Sequence, residues 1–232
     1  MPHHNAKELK ELPLYSATEA ARFLRLPAST VRAWCFGQKY HATNGQTRQF
    51  EPVVRVADRK RRGLSFVNLI ELSVLAAIRR VHHVSLRQVR SALTYVQKQF
   101  PSAHPLADHA FQTNGVDLFV EKVGQIVNLS KDGQIEMKQM IRDYLRGVER
   151  NTQGVPIKLY LPGRTTNTQR DSVVVDPSRG FGRPVLDKVG VRTEVLIERF
   201  KAGESMRSLA DDYALDFDVI EDIIRNEFPL AA

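Results

Sequence analysis

The chain has 232 residues, 42% hydrophobic and 26% charged, with 34 Lys+Arg against 26 Asp+Glu and a formal net charge of +8. That length can bury a proper core in one to three domains, and no apolar run reaches the roughly 20 residues that a membrane-spanning helix needs. Cys35 is the single cysteine, which excludes an internal disulfide and a zinc site built on several thiolates. The opening Met1-Pro-His-His-Asn lacks the basic-then-apolar pattern of an export signal, so a reducing cytoplasm is expected.

The first predicted elements lie in Tyr15–Trp34. Ser16-x-x-Glu19 is a capping box, in which the hydroxyl accepts from the Glu19 amide and the carboxylate reaches back. Ala17, Ala20, Ala21 and Leu24 follow at helical spacing, a narrow stripe of small residues that lets a second helix cross closely. Pro27 disfavours an α conformation at Leu26 and so breaks the helix. A second helix restarts near Ala28, burying Val31 and Trp34 and leaving Ser29, Thr30, Arg32 and Ala33 to face outward. This is a helix-turn-helix pattern, whose second helix enters the DNA major groove; the bland alternative is an αα-hairpin that only packs a core. Ser16, Thr18, Ser29, Thr30 and Arg32 form the first candidate DNA-binding set. Cys35, beside Trp34, reads as a small buried filler.

Charge supports the DNA reading. Residues 1–100 carry 17 Lys+Arg and 6 Asp+Glu, a net of +11, whereas 101–232 carry 17 and 20, a net of −3. A surface that docks on phosphates must be basic where it docks, because counterion release supplies most non-specific affinity. Residues 37–63 read as a wing, with short β pieces at Gln49-Phe50 and Val53–Val56, followed by Asp58-Arg-Lys-Arg-Arg-Gly63. Arg48, Arg55, Arg59, Lys60, Arg61 and Arg62 are therefore candidate phosphate contacts. Two helices follow, over Leu64–Val81 and from Ser85 to Phe100. The stripe Leu86, Val89, Leu93, Val96 and Phe100 suits either a core or a dimer seam. His82-His83 project differently and have no ligand partners nearby, so no metal is expected.

The order helix-turn-helix, wing, two helices resembles the MerR-like winged DNA-binding domains over residues 13–100. The chain departs from them at Arg25, where Gly is common, and at Pro27, where a Ser cap is common. Leu64-Ser-Phe-Val-Asn-Leu-Ile-Glu71, Val74-Leu-Ala-Ala-Ile-Arg-Arg80 and Val89-Arg-Ser-Ala-Leu93 are similar to large antitoxins of bacterial toxin–antitoxin pairs of the VapBC kind. That resemblance implies an N-terminal DNA-binding region joined to a small C-terminal helical unit.

Residues 101–171 read as a small α+β unit. Asp117–Glu121 and Gln125–Leu129 look like two strands of a hairpin around Gly124. Gln134–Val148 is an amphipathic helix, Pro156–Leu161 a strand completed by Val173–Val175, and Gly163–Arg170 a flexible linker. Asp108, His109 and His104 are polar, but nothing in the sequence brings them together. From residue 172 to 232 a three-helix unit is expected, with helices over Thr193–Lys201, Ser205–Tyr213 and Asp216–Glu227. Its opening, Asp176-Pro-Ser-Arg-Gly-Phe-Gly-Arg-Pro-Val-Leu186, resembles a small helix-turn-helix-like domain of unknown function found in such antitoxins. The final helix begins with Asp216, Asp218, Glu221 and Asp222. These complement a helix N-terminus but repel phosphates, so this unit is expected to meet a protein with a basic surface instead. Phe181, Arg183, Met206, Tyr213 and the four acids are the candidate partner-binding residues.

The fold expected is thus mainly α: a winged helix-turn-helix over residues 1–100, a small α+β unit over 101–171, and a helical unit over 172–232. The resemblance implies an antitoxin that holds a PIN-like ribonuclease inactive and, as a homodimer on double-stranded operator DNA, represses its own operon. The alternative is a free-standing MerR-like regulator that senses a ligand through its middle unit. An enzyme has little support, since no nucleophile–base pair, metal set or phosphate-cradling loop stands out. No catalytic residue and no cofactor is assigned.

Overall fold

A computed structural model describes residues 9–41, 47–82, 84–161 and 173–227. The linker expected at 163–170, the first five residues and His83 lie outside the described residues. The chain divides into two compact units, Met1–Pro156 and Ile157–Ala232.

In the first unit, helix α1 (Ala17–Leu24) has the expected capping box, with Glu19 N donating to Ser16 Oγ at 3.2 Å and Ser16 N to Glu19 Oε2 at 2.8 Å. Arg25 ends it in the left-handed region, at φ 53°, ψ 48°, with its amide closing on the carbonyls of Ala21 and Arg22. This is the conformation for which Gly is favoured, so the departure at Arg25 keeps the turn's geometry and accepts a strain of about 1 kcal/mol. Helix α2 (Ala28–Phe36) starts at Pro27 without a side-chain cap and buries Val31, Trp34 and Cys35. The preset φ of proline does part of the work a cap would do.

The wing differs from expectation in its partners. Strand β1 (Gln38–His41) pairs antiparallel with β2 (Thr47–Phe50), Gln38 lying opposite Phe50 and Tyr40 opposite Arg48. Val53–Val56 is not a strand. Pro52 has no amide to donate and ends the ladder, and Val53 N and Val54 N turn inward to the Trp34 carbonyl at 2.8 and 3.1 Å. Gly37, at φ 78°, is required here because a Cβ would stand 2.5 Å from the Phe50 carbonyl oxygen.

Helix α3 (Phe66–His82) is the hub of the unit. Leu69, Ile70, Leu72, Leu75, Ala77 and Ile78 are fully buried and cover its whole circumference. It packs against α1, against a 3-10 turn at Pro105–Ala107 and against the later helix α6. Helix α4 (Leu86–Gln99) uses its stripe of Val89, Ala92, Leu93 and Val96 for contact with α5 of the same chain, so the stripe serves the core.

The hairpin expected at 117–129 is a helix, α5 (Val116–Val127), entered through a π-helical turn at Phe111–Gly115. Val116, Phe119, Val120, Val123 and Gly124 are buried at i, i+3, i+4, i+7 and i+8. The β-favouring residues therefore fall on one helical face, and Gly124 serves close packing, since a Cβ there would meet Gln134 at 2.6 Å. Helix α6 (Lys131–Arg146) then packs on α3 and α5, and strand β3 (Val148–Arg150) closes the unit.

The second unit opens on β4 (Pro156–Tyr160), which pairs antiparallel with β5 (Val173–Val175), itself antiparallel to β6 (Val185–Leu186). Helices α7 (Thr193–Lys201), α8 (Met206–Tyr213) and α9 (Phe217–Glu227) then pack together over Leu196, Leu209, Val219, Ile220, Ile223 and Ile224. The chain is mainly α, with a winged helix-turn-helix at one end and a three-helix unit at the other.

Candidate functional site

The outward side of the helix-turn-helix carries the expected polar set. Ser16, Thr18, Ser29 and Arg32 are exposed and Thr30 is half-buried. Arg32 Nη2 donates to Thr18 Oγ1 at 3.2 Å, so a side chain at the start of α1 steadies the one cation on the face of α2. The buried side of α2 holds Cys35, whose thiol is pushed up to about 12 by burial and then by the negative charge of Glu71. A thiol so held is inert packing.

The basic run forms a defined tip. Asp58 and Gly63 exchange both backbone hydrogen bonds, at 3.0 and 2.8 Å, and Asp58 Oδ1 accepts from Arg61 N at 2.9 Å. Arg59, Lys60, Arg61 and Arg62 occupy the four positions between them and are all exposed. The Arg62 guanidinium lies 4.2 Å from the centroid of the Phe36 ring at the end of α2, a cation–π contact that fastens the tip to that helix. Arg55 is exposed just before the tip, and Arg48 lies in β2. Helix α2 and the basic tip are therefore joined in one region, an arrangement suited to base and backbone contacts together.

Beneath the tip lies a buried polar network that sequence reasoning missed. Asn68 Nδ2 donates to the Arg55 carbonyl at 2.7 Å, and Asn68 Oδ1 accepts from Ala57 N at 3.1 Å and Ser65 N at 3.0 Å. Ser65-x-x-Asn68 was a visible signal, for it has the spacing of a capping box. Asn68 Nδ2 also meets Glu71 Oε2 at 3.3 Å, and Glu71 Oε2 meets His104 Nδ1 at 2.9 Å, with Glu11 Oε2 3.4 Å from His104 Nε2. Burial pushes the Glu71 carboxyl up, outweighing the downward pull of its hydrogen bonds to His104 and Asn68. Burial would push His104 down, but the hydrogen bond to Glu71 and the charges of Glu71 and Glu11 outweigh it against Arg55, leaving it raised.

Both groups therefore bind protons more tightly folded than unfolded, and stability must fall as pH rises through their folded values. From pH about 5 to pH about 8, across the usual ranges of Glu and His, the urea midpoint is expected to decline. The decline should be shallower in His104→Asn, and identical slopes for the two proteins would remove this pair as the cause.

In the second unit, Phe181 is 87% exposed and stands at φ 56° between Gly180 (φ 55°) and Gly182 (φ 71°). A bulky residue rarely adopts that backbone region. The loop is held all the same: Arg179 Nη1 donates to Asp187 Oδ1 at 2.8 Å, Lys158 Nζ to Asp187 Oδ2 at 3.1 Å, and a Cβ on Gly180 would stand 2.8 Å from Val185 Cγ1. Arg183 is half-buried, as are Met206 and Tyr213 on α8. Tyr213 lies beneath Arg199, 5.3 Å from its ring centroid, and hydrogen bonds to Glu204, Asp212 and Tyr213 raise that exposed guanidinium further. Asp216, Asp218 and Asp222 are exposed, and Glu221 accepts from Arg225 Nη2 at 2.8 Å. Phe217, between two of these acids, is 41% exposed. Its exposure is not legible in the sequence, because an aromatic at the start of an amphipathic helix reads as core.

Among the described residues no three His, Cys, Asp or Glu side chains come together as a metal set, and no helix is long and apolar enough to cross a membrane.

Fold and site together define a winged helix-turn-helix protein with an appended helical unit. Residues 13–93 match the family described as "Putative DNA-binding HTH domain", and residues 173–225 match "Protein of unknown function (DUF433)". Along nearly its whole length the chain is similar to "Putative antitoxin VapB45" of Mycobacterium tuberculosis (strain ATCC 25618 / H37Rv), with 28% identity over 92% of this chain and 93% of that protein. It is similar also to "Uncharacterized protein Rv2308" of the same strain, with 23% identity over 91% of this chain and 88% of that one. Among solved structures, that of Rv2018 from Mycobacterium tuberculosis has a TM-score of 0.65 at 23% identity, over 92% of this chain and 98% of that one.

Proposed function

We propose that the chain is a cytoplasmic, non-enzymatic antitoxin that binds operator DNA through its first unit and a PIN-like ribonuclease through its second. The observation that carries the DNA role is the Arg62–Phe36 stack, which places four exposed cations beside the reading helix. In this reading Arg32, steadied by Thr18, contacts base edges with Ser29 and Thr30. Ser16, Arg48, Arg55 and the tip residues Arg59, Lys60, Arg61 and Arg62 take phosphates. A homodimer would place two reading helices about one helical turn apart on a two-fold operator, repressing the operon that encodes both proteins.

The similarity to a named antitoxin over nearly the full length supports the partner role. So does the charge at the C-terminal end of the sequence: residues 204–232 carry eight acids against Arg207 and Arg225, a net of −6. An RNA-cleaving partner needs a basic groove, and an acidic helix start bearing the exposed Phe217 suits such a groove better than it suits a duplex.

Arg32→Ala tests the reading helix: operator affinity should fall about tenfold or more while random DNA is held nearly as before. Equal weakening on both would end Arg32's role in base reading. For the tip, the logarithm of affinity should fall with that of salt concentration at a slope near about −4, as about four phosphate contacts require. Replacing Arg59 and Lys60 by Ala should flatten the slope by about 2, and an unchanged slope would place the phosphates elsewhere. Co-expression with the ribonuclease encoded beside this chain should yield a stoichiometric complex without nuclease activity. Purification of the two as separate proteins would defeat the antitoxin reading.

A further inference from the structure

The first unit contains a polar cleft of about 340 Å³, lined by the 102–109 segment, the 150–156 segment and Lys10 with Glu11. His104, Asp108 and His109, scattered polar loop residues in the sequence, all face it. Arg150 lines it too, donating to Gln112 Oε1 at 2.7 Å, to the Ala107 carbonyl at 2.8 Å and to the Gly154 carbonyl at 3.1 Å. All three acceptors are neutral. A guanidinium has five N–H donors, so two remain without an acceptor among the described residues.

Neither carboxylate of the cleft is hydrogen-bonded to Arg150, although the charge of Asp108 acts on it. Asp108 Oδ1 accepts from Ala110 N at 2.8 Å, and Glu11 lies 3.4 Å from His104 Nε2 and 3.8 Å from Lys10 Nζ. A half-buried cation with spare donors and no hydrogen-bonded carboxylate is a seat for a planar or tetrahedral oxyanion. Gly154 packs within 3.2 Å of the His109 ring, measured from the Cβ it lacks, which sets that imidazole at the cleft's edge.

The cleft is also connected to the tip. His104, in its wall, bonds Glu71, which bonds Asn68, which holds the Arg55 carbonyl and the Ala57 amide at the tip's base.

We propose that this cleft binds a small oxyanion, a carboxylate or a phosphate group seated on Arg150 with Lys10 and His109, and that its occupation is transmitted through His104, Glu71 and Asn68 to the basic tip. An anion beside the His104 imidazole draws the ring toward the cleft and away from Glu71, which holds its Nδ1. Glu71 and Asn68 then loosen, and the tip's hold on phosphates weakens. The transmission rests on the operator-binding reading; the site itself does not.

Inorganic phosphate and succinate, titrated into the full chain at constant ionic strength, test the site through the imidazole resonances of His104 and His109. At least one anion should give a saturable shift, phosphate alone marking a phosphorylated ligand and succinate alone a carboxylic one. His109→Ala should weaken binding about tenfold and Arg150→Gln should abolish it. Shifts that grow linearly with both anions would overturn the site, and so would wild-type binding by His109→Ala, which stands as the test if Arg150→Gln does not fold. For the transmission, saturating anion should lower operator affinity about tenfold in the wild type and leave His104→Asn unaffected. Saturable shifts with unchanged operator affinity would reject the transmission and keep the site. A chain that binds no operator even without anion would strike the operator reading and the transmission with it.

Discussion

Replacement of Phe181 by Asn is expected to lower affinity for the proposed ribonuclease partner by about 2–4 kcal/mol, or roughly 30-fold to 1,000-fold, the loss typical of an aromatic anchor. The same change should leave the urea midpoint unchanged or raise stability by up to about 1 kcal/mol, because Asn accepts the left-handed backbone that costs phenylalanine strain. The ring is 87% exposed, so it contributes little packing to the isolated chain. Opposite signs in the two measurements separate a binding residue from a structural one. A fall in stability with unchanged affinity would assign the ring to the fold. Reversing charge at Asp218 and Asp222 should slow association more than it speeds dissociation, as rim charges do.

Asn68→Ala is expected to cost about 3 kcal/mol of stability, since it strands the Ala57 and Ser65 amides and the Arg55 carbonyl beside the buried Glu71. Its effect on DNA should exceed that of any single tip residue. Asn68 holds the backbone from which the tip projects, so its loss frees several cations at once. The salt dependence of DNA binding, compared at a temperature where wild type and variant are both folded, should be visibly flatter for Asn68→Ala. Full stability in the variant would mean that the network is not needed for the fold. A retained salt slope would mean that the tip does not depend on it.

The helix-turn-helix was legible because its signals are local: the Ser16–Glu19 box, the alanine stripe and Pro27 each act within one or two turns of helix. The three C-terminal helices were legible for the same reason, their starts at Thr193, Ser205 and Asp216 each lying within a residue of the observed ones. Two errors share a cause. Val53–Val56 and the 117–129 segment are rich in β-branched residues, and local preference favours strands there. Tertiary partners decide otherwise: the Trp34 carbonyl takes the amides of Val53 and Val54, and neighbouring helices cover the buried face of α5. The Asn68–Glu71–His104 network was hidden because 33 residues separate Glu71 from His104, and no pattern of spacing announces a contact of that range. Still longer separations in sequence kept His104 and Asp108 apart from Arg150 until the fold closed the cleft around them.

Helix α3 is buried on every side, and α6, from beyond residue 130, supplies part of its cover. The segment that family resemblance marks as DNA-binding ends at residue 93, well before that cover is made. The portion of the chain that carries the recognisable sequence is thus smaller than the portion that must move together to keep it folded. Recombination that joined a new partner-binding half directly after residue 93 would leave an apolar helix facing water. Exchange after about residue 156, where the compact unit ends, would leave α3 covered. A junction that keeps this chain's first unit intact is therefore set by the hidden side of one helix, and lies some sixty residues beyond the last residue of the match to the putative DNA-binding domain.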